Sequence, residues 1–244
     1  TPSTGLLTIP SDNKPLYSAN LIYKPYGEDT FLEPLNERDK LISYGGITVN
    51  NALIPKAGTS QINLNYDSKG NLFGFYSYSL SNLFQLELSS GSFDDVNLVD
   101  NKLSGFQSRY FSKNNLNYKI GGKYLIFSPE NYDLFWMALR TSFGSNEKIN
   151  QGYIVTELIN TFRFNDKFTF NVSPKYVYSD IKSFGSIGVS SYLNLLDNLQ
   201  LIPEINIALT NDSDFTSSLG LRYSFQPGKS IDLYYSNSAG LHDV

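Results

Sequence analysis

Eleven charged residues in this chain sit where they could act as a group. Arg109, Lys119, Lys123, Arg140, Arg163, Lys175 and Arg222 each have an apolar or aromatic neighbour in sequence, and so do Glu87, Glu157, Glu204 and Asp232. In an extended chain successive side chains point to opposite faces, so all eleven would gather on one side of a sheet. Charges gathered along a narrow passage set its preference for ions, and here the basic groups outnumber the acidic ones. The same charges could instead pair across an interior and fill it; the sequence leaves both readings open. Acid–base and nucleophilic chemistry are poorly served. His242 is the only histidine and stands in the final GLHDV, far from any partner that could orient it. Cysteine is absent, which removes thiolate nucleophiles and, with one histidine, zinc sites. The carboxylates at Asp94–Asp95 and Asp212–Asp214 lack the spacing and glycine of a calcium loop and read as polar turns. Gly121–Gly122 lies inside a strand-like segment, so no phosphate loop is present. No enzyme activity, metal or cofactor is expected.

The elements that would carry these charges alternate with unusual regularity. In KFTFNVSPKYVY, Phe168, Phe170, Val172, Pro174, Tyr176 and Tyr178 share one parity, while Thr169, Asn171, Ser173 and Lys175 share the other. Phe215, Leu219, Leu221, Tyr223 and Phe225 oppose Thr216, Ser218, Arg222 and Ser224 in the same way. Leu199, Leu201, Ile205, Ile207 and Leu209 oppose Gln200, Glu204, Asn206 and Ala208. Strand-like segments run at 61–66, 72–80, 83–89, 105–111, 116–127, 132–143, 153–164, 168–178, 183–195, 199–209, 215–225 and 231–237. Two weaker ones lie at 17–24 and 41–54. Between them fall short breaks rich in Asn, Asp, Gly, Ser and Pro, such as SKNN, GSNEK, TNDSD and QPGK. The reading is all-β: a single antiparallel transmembrane β-barrel of 12–14 strands, 14 favoured, with short connections and no obvious loop to fold inward as a constriction. Residues 1–244 form one domain on this reading, with 1–14 an ordered lead-in broken by Pro2 and Pro10.

A soluble β-sandwich also alternates, but its strands are usually shorter. Here the pattern holds for ten residues or more, as the tilted span of a bilayer requires. The polar parity reads as uniformly wet, as a face lining water would be. Mean hydropathy is −0.25, which suits a barrel whose strands are apolar on one face only. Aromatic residues make up 15% of the chain, with 18 Tyr and 17 Phe, as interfacial girdles would demand. A net charge of −4 gives no reason to expect nucleic acid. The start TPSTGLLTIP has neither basic residues nor an apolar core, so the expectation is a mature, exported chain whose signal has been removed.

Over 41–237 the chain resembles bacterial outer-membrane β-barrels. That resemblance implies an outer-membrane location, contact with outer-membrane lipid, insertion by the barrel-assembly machinery and a porin-like channel for small solutes, and the seven basic against four acidic residues above would give it a mildly basic lumen. Gly5, Leu6, Leu7, Pro10 and Ser11 also resemble the opening of YjbH-like envelope barrels associated with exopolysaccharide. This second resemblance implies instead a non-conducting structural barrel working with other envelope proteins. The end of the chain departs from the barrel pattern: it closes on GLHDV rather than on a strand with a terminal aromatic, Tyr235 being the nearest candidate.

Overall fold

Alternating segments of this length become strands because each can bury one row of side chains while its backbone pairs with both neighbours. The structure, a computed structural model, describes residues 46, 48–66, 72–93, 115–128, 134–146, 151–165, 167–179, 183–209, 215–226 and 229–236. They fall within one compact unit, Pro34–Val244. The described strands are β1 (Ser60–Tyr66), β2 (Leu72–Ser79), β3 (Phe84–Phe93), β4 (Asn115–Phe127), β5 (Phe135–Asn146), β6 (Gln151–Asn165), β7 (Phe168–Ser179), β8 (Phe184–Leu196), β9 (Leu199–Ala208), β10 (Phe215–Gln226) and β11 (Lys229–Ser236). They form one antiparallel sheet in which every strand pairs with its neighbour in sequence, in the order β1 to β11. No helix occurs among the described residues.

The two faces are inverted relative to a soluble protein. Along β7 the side chains alternate strictly: Thr169, Asn171, Ser173, Lys175 and Ser179 are buried, while Pro174, Tyr176 and Tyr178 are exposed. The same holds around the sheet. Ile62, Leu64, Leu88, Tyr118, Ile120, Phe143, Leu219 and Leu233 are exposed, whereas Glu87, Lys119, Lys123, Arg140, Glu157, Lys175, Glu204 and Arg222 are buried. Water would never favour that arrangement. Ionisable side chains are seldom buried unless paired, and so extensive an apolar exterior marks a surface that meets something other than water.

Eleven of the expected strands are therefore present, within a few residues of their expected limits. Segments 17–24 and 105–111, Arg109 and the lead-in 1–14 lie outside the described residues. The expected strand at 41–54 is a correction. Gly46 and residues 48–57 form no strand, and residues 48–55 run inside the sheet. Val49, Asn51, Ala52 and Leu53 are each at most 4% exposed. A segment lying on a flat sheet would show one side to solvent, so the sheet curls around this one. Pro55, with no N–H to offer a ladder, ends the stretch, and Gly58, at φ 82°, turns the chain towards β1.

The interior segment also corrects two further expectations. It is the inward-folded piece that the short connections seemed to rule out. It also explains why the inner face is not uniformly wet. Phe73, Leu125, Trp136, Ala138, Val155, Ile159, Val177, Tyr192 and Ile202 all lie buried on the inner parity. With Val49, Ala52, Leu53 and Ile54 alongside, they make a dry band inside the barrel that alternation alone could not reveal.

Candidate functional site

The inner charges are ordered by register. Lys123 on β4 is the Cα partner of Arg140 on β5, Arg140 is the partner of Glu157 on β6, and Glu157 is the partner of Lys175 on β7. Directly opposed side chains lie close enough to interact, so the row forms a belt across four strands. Arg140 is its centre. Its Nε donates to Glu87 Oε2 at 2.5 Å and its Nη1 lies 3.5 Å from Glu157 Oε2. Lys175 Nζ lies 3.6 Å from Glu157 Oε1. Glu87 belongs to β3, so Arg140 must reach across β4. Gly121 is the β4 residue paired with Glu87, and it puts no side chain in the way. A Cβ there would meet Thr141 O and Ser142 Cβ, both at 2.6 Å.

A second pair stands apart near the end of the sheet. Arg222 on β10 and Asp232 on β11 are register partners, joined by two parallel hydrogen bonds of 2.9 and 2.7 Å. This bidentate geometry is the strongest that a guanidinium offers a carboxylate. Lys119 is buried on the same inner face, and Arg163 is half-buried there, as its pairing with Thr169 requires. Ten of the eleven charges picked out from sequence thus share the inner face, and Arg109 is outside the described residues. Among the described residues no group of three or more His, Cys, Asp or Glu could hold a metal.

Sequence reasoning missed what these charges hold. Glu204 Oε2 accepts from Thr48 N at 2.5 Å, Thr48 Oγ1 at 2.7 Å and Ser218 Oγ at 3.0 Å. Lys175 Nζ donates to Thr48 O at 3.0 Å, and Lys123 Nζ to Leu53 O at 3.0 Å and Asn51 O at 3.4 Å. Asn50 Nδ2 donates to Glu157 Oε2 at 2.9 Å, and Ala52 N to Thr161 Oγ1 at 2.8 Å. Tyr192 OH donates to Val49 O at 3.4 Å. The inner wall therefore supplies the partners that a strand ladder supplies elsewhere, and an irregular buried backbone is satisfied by side chains. The sequence did carry a signal: Trp136, Val155, Ile159 and Ile202 interrupt the wet parity at the level where the segment passes.

Gly46 marks the tightest approach. A Cβ there would collide with the Glu204 carboxylate and lie 2.7 Å from Val49 O. Gly46→Val is therefore expected to displace the segment from Glu204 while leaving the strands paired. Limited proteolysis should then cut near residue 50 in the variant and spare the parent protein, with both keeping the same far-ultraviolet dichroism. Equal protection of the two would show that the close approach does not matter.

No family model and no curated protein matches this sequence. Two solved structures do resemble the fold. One, described as KdgM porin, superposes with a TM-score of 0.52 at 9% identity, covering 73% of this chain and 89% of that one. The chain shares a β-barrel fold with that porin. The other, KdgM porin in complex with disordered oligogalacturonate, gives a TM-score of 0.52 at 10% identity over 72% of this chain and 88% of that one. At such identity the likeness speaks to the fold alone. Neither structure is described as an exopolysaccharide-associated barrel, and the residues behind that resemblance, Gly5, Leu6, Leu7, Pro10 and Ser11, lie outside those described.

Proposed function

We propose that this chain is a porin-like channel for small hydrophilic solutes in the bacterial outer membrane, with a mildly basic lumen. The observation that carries the reading is the inversion of the sheet, with apolar side chains outside and ionisable ones inside. A polar interior has a use if water and solutes enter it. The buried hydroxyls of Ser142, Thr169 and Ser173 have no partner within the protein, and such groups call for water. The KdgM-like fold supports the same reading. Outer-membrane lipid would cover Leu88, Ile120, Phe143 and Leu219, and the barrel-assembly machinery would insert the chain. On this reading the chain acts as a conduit rather than an enzyme.

Conductance across a planar bilayer tests the proposal. The purified barrel should give discrete current steps, and reversal potentials in a salt gradient should favour anions. Lys119, Lys123, Arg140, Arg163, Lys175 and Arg222 outnumber Glu87, Glu157, Glu204 and Asp232 on the inner face. Charges beyond about 8 Å from the path are screened at physiological salt, so the lining outweighs the net −4 of the whole chain. Lys119→Glu should move selectivity towards cations. A folded barrel that never conducts would favour the structural envelope reading instead.

A further inference from the structure

Resting on this conduction reading, we propose that residues 48–55 are a displaceable plug and that Lys123, Lys175 and Glu204 form the clasp that holds it. The segment occupies the interior that solutes must cross. It belongs to no strand, so its departure breaks no strand pair and the sheet stays intact. Its polar hold centres on two lysine ammonium groups on the carbonyls of Thr48, Asn51 and Leu53 and one carboxylate on the amide and hydroxyl of Thr48, with Glu157, Thr161, Tyr192 and Asn206 bonding Asn50, Ala52, Val49 and Thr48 beside them. The two lysines and the carboxylate can each be served by water or by a solute once the segment leaves. Solute and plug therefore compete for the same partners. The restoring force is apolar: Val49, Ala52, Leu53 and Ile54 regain burial on return, and Trp136, Ile159 and Ile202 are shielded again. At the exit, Lys56, Ala57 and Gly58 are exposed, and Gly58 holds the positive φ of a turn. The amide of Gly58 is fixed to Ser79 O at 2.8 Å and that of Ala57 to Asn82 Oδ1 at 2.8 Å. The plug thus has a tethered pivot at the head of β1.

The absence of cysteine allows a clean lock. A Cβ at Gly188 would lie 3.2 Å from Val49 Cγ2, so Val49→Cys with Gly188→Cys brings two sulfurs within disulfide reach once the Asn206 amide swings aside. The full-length double variant, its disulfide confirmed by mass, should be silent in a planar bilayer when oxidised and should regain current steps on addition of dithiothreitol. In a separate variant, Lys123→Met with Lys175→Met, the fraction of time open should rise about tenfold or more, because two charged hydrogen-bond donors to the plug are gone. If the oxidised lock conducts with the same steps and the same open fraction as the reduced form, the plug proposal is overturned and the channel stands. Suppose instead that every protein is silent, including one with residues 48–54 replaced by Gly and Ser at equal length, while each still shifts on heating in a detergent gel. Then the channel reading fails and the plug proposal falls with it.

Discussion

Arg140→Met is expected to lower the stability of the refolded barrel by about 3–5 kcal/mol, the usual result of removing one partner from a buried ion pair. Arg140 is 2% exposed, and it lies between Glu87 and Glu157, which are 5% and 1% exposed. Its loss would leave Glu87 without the 2.5 Å contact and would leave Glu157 to Lys175, at 3.6 Å, and Asn50. Both carboxylates would remain in the interior with less positive charge to hold them. The measurement is the urea midpoint in detergent or lipid, followed by loss of the folded band on an unheated gel. Glu87→Gln with Arg140→Met should recover much of the difference, since it removes the stranded charge as well as its partner. That recovery is the coupling energy of a double-mutant cycle. A single variant as stable as its parent would mean that lumen water already screens the belt, and the network would then be ornamental to folding.

The belt also shows how far the sequence could be read. Alternation settles which face a residue takes, because the strand period is two and a slip of one residue would turn every side chain over. Phe168 to Ser179 was therefore legible at once, and with it the inward direction of Lys175. Register was not legible. Nothing in the order of residues says that Glu157 opposes Arg140 on one side and Lys175 on the other; the pairing of β5, β6 and β7 decides that. The stretch 41–54 misled for a physical reason. Thr48, Val49, Leu53 and Ile54 are the residues that strands favour, and burial inside a barrel selects the same types. Pro55 and the paired Asn50 and Asn51 were the local evidence against a ladder. The polar partners of the segment, Glu204 and Lys175, lie more than a hundred residues away in sequence. Contacts at that range leave no mark on local pattern. The apolar residues on the inner parity did leave one, and a wet face broken by Trp136, Val155 and Ile159 in neighbouring strands is a readable sign that something dry passes beneath.

The outer face makes the sharper demand on the membrane reading. Leu219 sits near the middle of β10, opposite Tyr235 on β11 and Pro203 on β9, and is half exposed. If hydrocarbon covers it, Leu219→Arg must place a guanidinium at mid-depth in the bilayer, where a charge on the lipid face of a barrel costs roughly 2–4 kcal/mol. A strand rim offers no escape at that depth, because the headgroups lie too far for the side chain to reach. Ser224→Arg, on the inner parity of the same strand, introduces the same group where its neighbours are polar. Refolding into liposomes should therefore drop sharply for the Leu219 variant and little for the Ser224 variant, read as the fraction protected from protease and shifted on an unheated gel. In detergent micelles, which deform around a charge, the gap between the two should narrow. Equal refolding of both into liposomes would mean that the apolar face meets protein rather than lipid. The inversion of the sheet would then describe the inside of a larger assembly, and the channel would lose its membrane.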